Sequence, residues 1–158
     1  MRKITVVLSF LACFLFMNCN SSRNTSVSLI NYKEVKDSDK LSIYLKNYFK
    51  LSEDRDLETW YNTYLNKCTQ FYKIEKPTKD SIVNLIKSYW LTSDQQHHDI
   101  TKIESSNTKS GKDVFINMNY SYNIIATNTK RFIKKLKLHI ILNKQNKVLS
   151  IKEFSRGI

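Results

Sequence analysis

The chain has 158 residues, 41% of them hydrophobic and 12% aromatic, which is room for one domain with a packed core and too apolar a mixture for a disordered polymer. Gly occurs twice and Pro once, so phosphate-cradling glycine loops, dinucleotide turns and long flexible linkers are excluded, and most of the chain belongs in helices and strands. A formal charge of +12 favours anionic partners but specifies none, and because the lysines are spread along the whole length the plain reading is a basic, solvated surface.

Residues 1–20, MRKITVVLSFLACFLFMNCN, open with two basic residues, run through an apolar stretch from Ile4 to Met17 and end in a cysteine with polar residues behind it. That is the layout of a secretory signal. The apolar stretch is shorter than the ~17–25 residues a membrane-spanning helix needs. Phe16-Met17-Asn18-Cys19 resembles a bacterial lipobox, in which the cysteine is acylated and becomes the first mature residue. Leu11-Ala12-Cys13 has the better small residue before its cysteine, but Phe14 to Met17 would then follow the lipid directly, whereas Asn20 to Ser26 behind Cys19 make a polar tether. Cys19 is therefore the preferred lipidation site. The expected organisation is a lipoprotein signal peptide at 1–18, a tether at 19–36 and one domain at 37–158, held at the bacterial cell envelope by its lipid. An exported location also argues against nucleic acid as a partner.

Three segments of the domain share one apolar spacing: Leu41, Tyr44, Leu45, Tyr48 and Phe49; Leu57, Trp60, Tyr61, Tyr64 and Leu65, extended by Cys68; and Ile82, Leu85, Ile86, Tyr89 and Trp90. Each falls at i, i+3, i+4, i+7 and i+8 and reads as an amphipathic helix. Their starts are marked by Asp37 to Asp39, Ser52 to Asp56 and Pro77-Thr78. With Cys13 removed and Cys19 acylated, Cys68 is the one thiol left in the domain, so it has no disulfide partner and reads as a small core residue rather than a nucleophile.

From about His98 the period changes to two. Val114, Ile116, Met118, Tyr120, Tyr122 and Ile124 alternate with polar neighbours, and Phe132, Leu136, Leu138, Ile140 and Leu142 continue the pattern before a last strand at Val148 to Phe154. Reversals are marked at Ser110-Gly111-Lys112, Asn128-Thr129-Lys130 and Asn143 to Lys147. The result is an α+β domain: three N-terminal helices packed on a curved antiparallel sheet of four to five strands.

At this point the chain resembles the nuclear transport factor two-like superfamily, also called SnoaL-like or cystatin-like. The runs that carry the resemblance are Tyr48 to Tyr72, YFKLSEDRDLETWYNTYLNKCTQFY, Ile82 to Trp90, IVNLIKSYW, and the closing hairpins. The resemblance implies a cone with its pocket between the sheet's concave face and the helices. It would be lined by Trp60, Tyr64, Tyr89, Trp90, Tyr120 and Tyr122, with room for a small apolar ligand. It also implies that such domains pair as homodimers through the open sheet face.

The inward-facing positions of the long strands carry no acid, base or metal ligand, and His139, of opposite parity, belongs to the outer face with Lys135 and Lys137. His97-His98-Asp99 with Asp94 is the one cluster of ionisable residues near the expected pocket mouth. Adjacent histidines diverge on a strand or a helix, so no metal is expected there. Asp94, His98 and Asp99 are the candidates for an acid or base if the domain is an enzyme of isomerase or dehydratase type, working without a cofactor. The leading expectation is a non-catalytic domain that binds a small ligand or a protein; an envelope immunity protein is a third. Lys130, Arg131, Lys134, Lys135 and Lys137 around Phe132 read as an anionic contact site or as the charged outer face of a sheet. Mass spectrometry of the membrane fraction is expected to find a mature chain that begins at an acylated Cys19. An unmodified Cys19, or retention of residues 1–18, would overturn the anchor.

Overall fold

The structure is a computed structural model and describes residues 30–127 and 129–154. The leader and most of the tether expected from the sequence, including Cys19, lie outside the described residues. The domain is α+β, with three helices on one face of a single sheet. In chain order the elements are β1 (Lys33–Glu34), α1 (Lys40–Glu53), α2 (Leu57–Trp60, continued by a π-helical turn Tyr61–Leu65), β2 (Gln70–Phe71), β3 (Ile74–Glu75), α3 (Lys79–Thr92), β4 (Ser93–Thr108), β5 (Gly111–Ile124), β6 (Thr129–Asn143) and β7 (Val148–Glu153).

The expected sheet of four to five antiparallel strands is instead a mixed sheet of seven, in the order β1-β4-β5-β6-β7-β2-β3, with β2 running parallel to β7. The three added strands are two residues long, too short to carry an alternating pattern. They also interrupt the helical half, so the helices are not one N-terminal block. Lys33 and Glu34, assigned by the sequence to the tether, pair with Ser105 and Glu104 and make β1 the edge of the sheet.

The helices form where spacing and caps place them. Thr78 accepts a hydrogen bond from the Ser81 N–H at 3.1 Å to start α3, and Asp56 accepts from the Thr59 N–H at 3.1 Å to start α2. The second helix keeps its α-helical form for one turn only. A π-helical turn then carries Tyr64 and Leu65 to the same buried side as Trp60. Tyr48 is the hub of this layer: Phe49, Trp60 and Tyr64 surround its ring at centroid distances of 4.9, 5.3 and 5.3 Å, in the offset or edge-on arrangements that aromatic quadrupoles favour.

Beneath the helices the even-numbered strand positions point inward as the alternation predicts. Val114, Ile116, Met118, Leu138, Ile140 and Leu142 are all buried. The strand β4 starts at Ser93, five residues before the change of period read from the sequence, because its first seven residues are all polar and show no alternation to read.

The turn from β4 to β5 depends on Gly111. A Cβ there would fall 1.9 Å from the Leu142 carbonyl oxygen and 2.7 Å from the Asn143 backbone. Gly111→Ala is therefore expected to cost about 3 kcal/mol or more, measured by denaturant unfolding. A variant as stable as the parent would show that this turn relaxes freely.

Candidate functional site

The sheet and helices leave an open cavity of about 290 Å³. Its apolar wall comes from Phe49 on α1, Trp60 on α2, Phe71 on β2, Ile86 and Trp90 on α3, and Leu136 on β6. Its polar groups are Ser52, Tyr72, Tyr89, Ser93, Gln96, His98, Tyr120 and Tyr122, with Lys134 and Glu153 paired at 2.7 Å. Of the six aromatic residues read from the sequence as pocket lining, Trp60, Tyr89, Trp90, Tyr120 and Tyr122 line it. Tyr64 instead packs below the cavity against Tyr44 and Tyr48.

An irregularity in β4 brings the imidazole into the cavity. Asp94 pairs with Asn123 and His97 with Ser121, so Gln95 and Gln96 together oppose one residue, and Gln95 takes φ 46°. This is a β-bulge. With regular pairing His98 would sit opposite the outward-facing Asn119; with the bulge its partner is Tyr120, on the concave face. Asp94, His98 and Asp99, proposed together from the sequence, are thereby separated. Only His98 lines the cavity. Asp99 faces outward and accepts a hydrogen bond from the Asn119 amide at 3.2 Å. Asp94 is absent from the cavity wall, and its Oδ1 is buried without a hydrogen-bond partner.

The group that completes the site is Glu53, the last residue of α1. Its Oε1 accepts the His98 backbone N–H at 2.6 Å and lies 3.1 Å from His98 Nδ1, while Oε2 lies 3.5 Å from His97 Nδ1. A carboxylate on Nδ1 favours the tautomer with its proton there and leaves the Nε2 lone pair for a ligand. The His98 ring is sandwiched by Phe49 and Tyr120, each 4.8 Å away at about 30°. Both side chains are well covered, His98 at 12% and Glu53 at 14% exposure. Burial by itself would raise the Glu53 carboxyl; hydrogen bonds from the His98 ring and backbone N–H, with electrostatic attraction to the two imidazoles, outweigh it and hold the group below its usual range.

Neighbouring hydroxyls are held neutral. Burial, with Tyr122 and Tyr89 nearby, pushes the Tyr120 phenol up to about 12. Tyr72 is raised further, by burial and then by Glu153. Both therefore stay O–H donors at ordinary pH. Tyr72 sits in the left-handed region at φ 52°, a conformation costly for an aromatic residue, in the tight turn between β2 and β3.

Glu53, Tyr72, Ser93, Gln96 and Glu153 were not candidates in the sequence, and Lys134 was read there only as part of a basic surface cluster. Glu53 was read there only as part of the Ser52 to Asp56 run that marks the start of the second helix. The Cys68 thiol gives no competing nucleophile: it donates to the Gln70 carbonyl at 3.2 Å, and burial pushes it up to about 11. His139 is on the outer face as its parity predicts, but it is not simply solvated. It pairs with Asp113, which also accepts from the Tyr32 hydroxyl at 2.7 Å, and it stacks on Phe115 at 4.5 Å. Among the described residues no group of three or more His, Cys, Asp and Glu is arranged to hold a metal ion.

No protein-family model matches the chain, and no curated protein is similar to it in sequence. Solved structures are similar in shape. An NTF2-like protein of unknown function from Exiguobacterium sp. superposes with a TM-score of 0.54 at 11% identity, over 69% of this chain and 94% of that one. A protein described as a SnoaL-like polyketide cyclase from Shewanella denitrificans gives 0.53 at 13%, over 72% and 88%. One described as an isomerase from Bacillus subtilis gives 0.52 at 12%, over 75% and 88%. At these identities the likeness establishes the fold.

The lowered carboxyl makes a pH test of the site. A group whose pKa is lower folded than unfolded stabilises the protein above its unfolded value, about 4.3 for Glu, and loses that contribution as pH falls through the folded value. Glu53→Gln is therefore expected to cost about 2 kcal/mol at pH 7, and the gap to the parent should close below pH 4. An unchanged gap at low pH would assign the loss to packing.

Proposed function

We propose that this domain of nuclear transport factor two-like fold is a small proton-transfer enzyme of the isomerase or cyclase kind, with His98 as its base. The observation that carries this reading is the Glu53–His98 pair on the wall of an open cavity. A purely structural histidine needs no open space beside it, and an interior without a carboxylate or imidazole would have left no acid–base chemistry to assign.

Glu53 accepts a hydrogen bond from Nδ1–H and keeps the proton on that nitrogen, so the Nε2 lone pair accepts a proton from a carbon next to a carbonyl and the imidazolium formed is stabilised by the carboxylate. Tyr72 and Tyr120, neutral donors in the same cavity, hydrogen-bond the oxygen on which charge develops. His98 then returns the proton to another position of the same molecule, which balances the reaction without a cofactor. The cavity volume of about 290 Å³ is roughly twice the ~150 Å³ that holds a benzene. The substrate is therefore a flat, largely apolar molecule of one or two rings bearing a carbonyl. Names given to similar structures, a cyclase and an isomerase, agree with chemistry of this kind. The leader-like residues 1–18 and the polar stretch behind Cys19 support work at the bacterial envelope on a lipid tether. Among the described residues no helix is long and apolar enough to cross a membrane.

The test is deuterium exchange from heavy water into a panel of one- and two-ring ketones, followed by NMR. His98→Ala is expected to lower exchange by about 10²- to 10⁴-fold, and Glu53→Gln by about 10- to 100-fold. Ligands that quench Trp60 and Trp90 fluorescence yet exchange no faster with the parent than with His98→Ala would leave a non-catalytic binding pocket as the function.

A further inference from the structure

The described residues include eight large apolar side chains that are exposed, and five of them, Tyr89, Leu91, Ile125, Phe132 and Ile133, gather at one end of the cone. The backbone brings them there. The Ile125 N–H bonds the Thr92 carbonyl at 3.1 Å, tying the end of α3 to the β5–β6 hairpin, and Phe132 pairs across that hairpin with Tyr122. Leu91 is 80% exposed and Ile133 56%. Phe132 shares the concave face with Tyr122, whereas Ile133 pairs with Ser121 on the other face, so the hairpin end is apolar on both sides. A soluble surface has no use for that arrangement.

Two further observations indicate what covers it. Residues 125–137 contain five basic and no acidic side chains; Arg131 and Lys135 are exposed, and Lys134 pairs with Glu153. The same end also leads inward. Ring centroids step from Phe132 to Tyr122 at 5.3 Å, to Tyr120 at 5.1 Å and to His98 at 4.8 Å. Apolar side chains on both faces of a hairpin, interleaved with Lys and Arg, match the boundary of a bilayer with anionic head groups.

We infer that this end of the cone seats on an anionic lipid membrane, with the β5–β6 hairpin and the end of α3 at the head-group boundary and the cavity's aromatic ladder opening towards the lipid. Charge complementarity selects this occupant over a second copy of the chain, whose equally basic rim would be repelled. The docking does not depend on His98 being a base. Loss of exchange activity and loss of membrane contact are separate readouts.

The experiment is hydrogen exchange by mass spectrometry on the full chain reconstituted in vesicles of phosphatidylcholine alone and of phosphatidylcholine with phosphatidylglycerol. The amino-terminal attachment is the same in both preparations, so a difference confined to the rim amides reports on the rim. Amides in 89–92 and 124–133 are expected to exchange several-fold more slowly in the anionic vesicles, with those of α1 unchanged. Lys135→Glu should reduce the slowing by about fivefold or more, and Phe132→Ser should remove most of it; both positions are exposed, and Lys135→Glu leaves the apolar tip intact. Equal exchange in the two vesicles would overturn the inference. So would slowing that follows protein concentration and ignores lipid charge, because a second copy would then be the occupant.

Discussion

The site depends on one irregular step in the hydrogen-bond ladder. A bulge at Gln95 and Gln96 moves His97 to Ile100 of β4 by one position against β5, and in a strand one position is a change of face. His98 therefore stands on the concave side, between Phe49 and Tyr120, and within reach of the carboxylate at the end of α1. A second shift, between Ile100 and Lys102, resets the parity so that Ile103 is buried against Ile116. The cavity half of the strand and its core half are thus in different registers. Bulges beside binding sites commonly serve to re-aim a side chain in this way.

Glu53 takes part in both halves of the molecule. It closes α1, whose Leu45, Tyr48 and Phe49 belong to the core, and it holds both the backbone and the ring of His98. The helix and the strand are therefore joined by a charged hydrogen bond at the point where the apolar packing gives way to the cavity. Its carboxylate would be costly to bury alone, and the two histidines are what make it tolerable there. The aromatic cluster around Tyr48 supplies the rigid floor. The left-handed backbone at Tyr72 and Gln95, on opposite sides of the space, marks where the chain gives up ideal geometry to surround it.

Much of the architecture was legible along the chain. The i, i+3, i+4 stripes located α1 and α3, and alternation from Val114 to Leu142 identified β5 and β6 with the correct side facing in. Five of six pocket aromatics were visible because a large ring at the open end of an amphipathic stripe must border whatever space the fold leaves. Tyr64 packs below the cavity and not along it, and its stripe alone cannot distinguish the floor of a cavity from its wall. Asp94 and Asp99 were grouped with His98 because they are close in sequence, and β4, polar from Ser93 to Asp99, has no alternation there from which a register could be read.

What the amino-acid sequence determined by itself was the longer helices, the strands β5 to β7 and the side of each that faces in, because hydrophobic spacing is a local property and burial follows it. The three two-residue strands, the parallel pairing of β2 with β7, the π-helical turn and the bulge were decided by the tertiary structure. Each depends on a neighbour far away in the chain: β7 for β2, β5 for the bulge, the core for the turn. The pairing of Glu53 with His98, 45 residues apart, is of the same kind. A carboxylate and an imidazole become an acid–base pair only when a shifted strand and the end of a helix bring them within 3.1 Å.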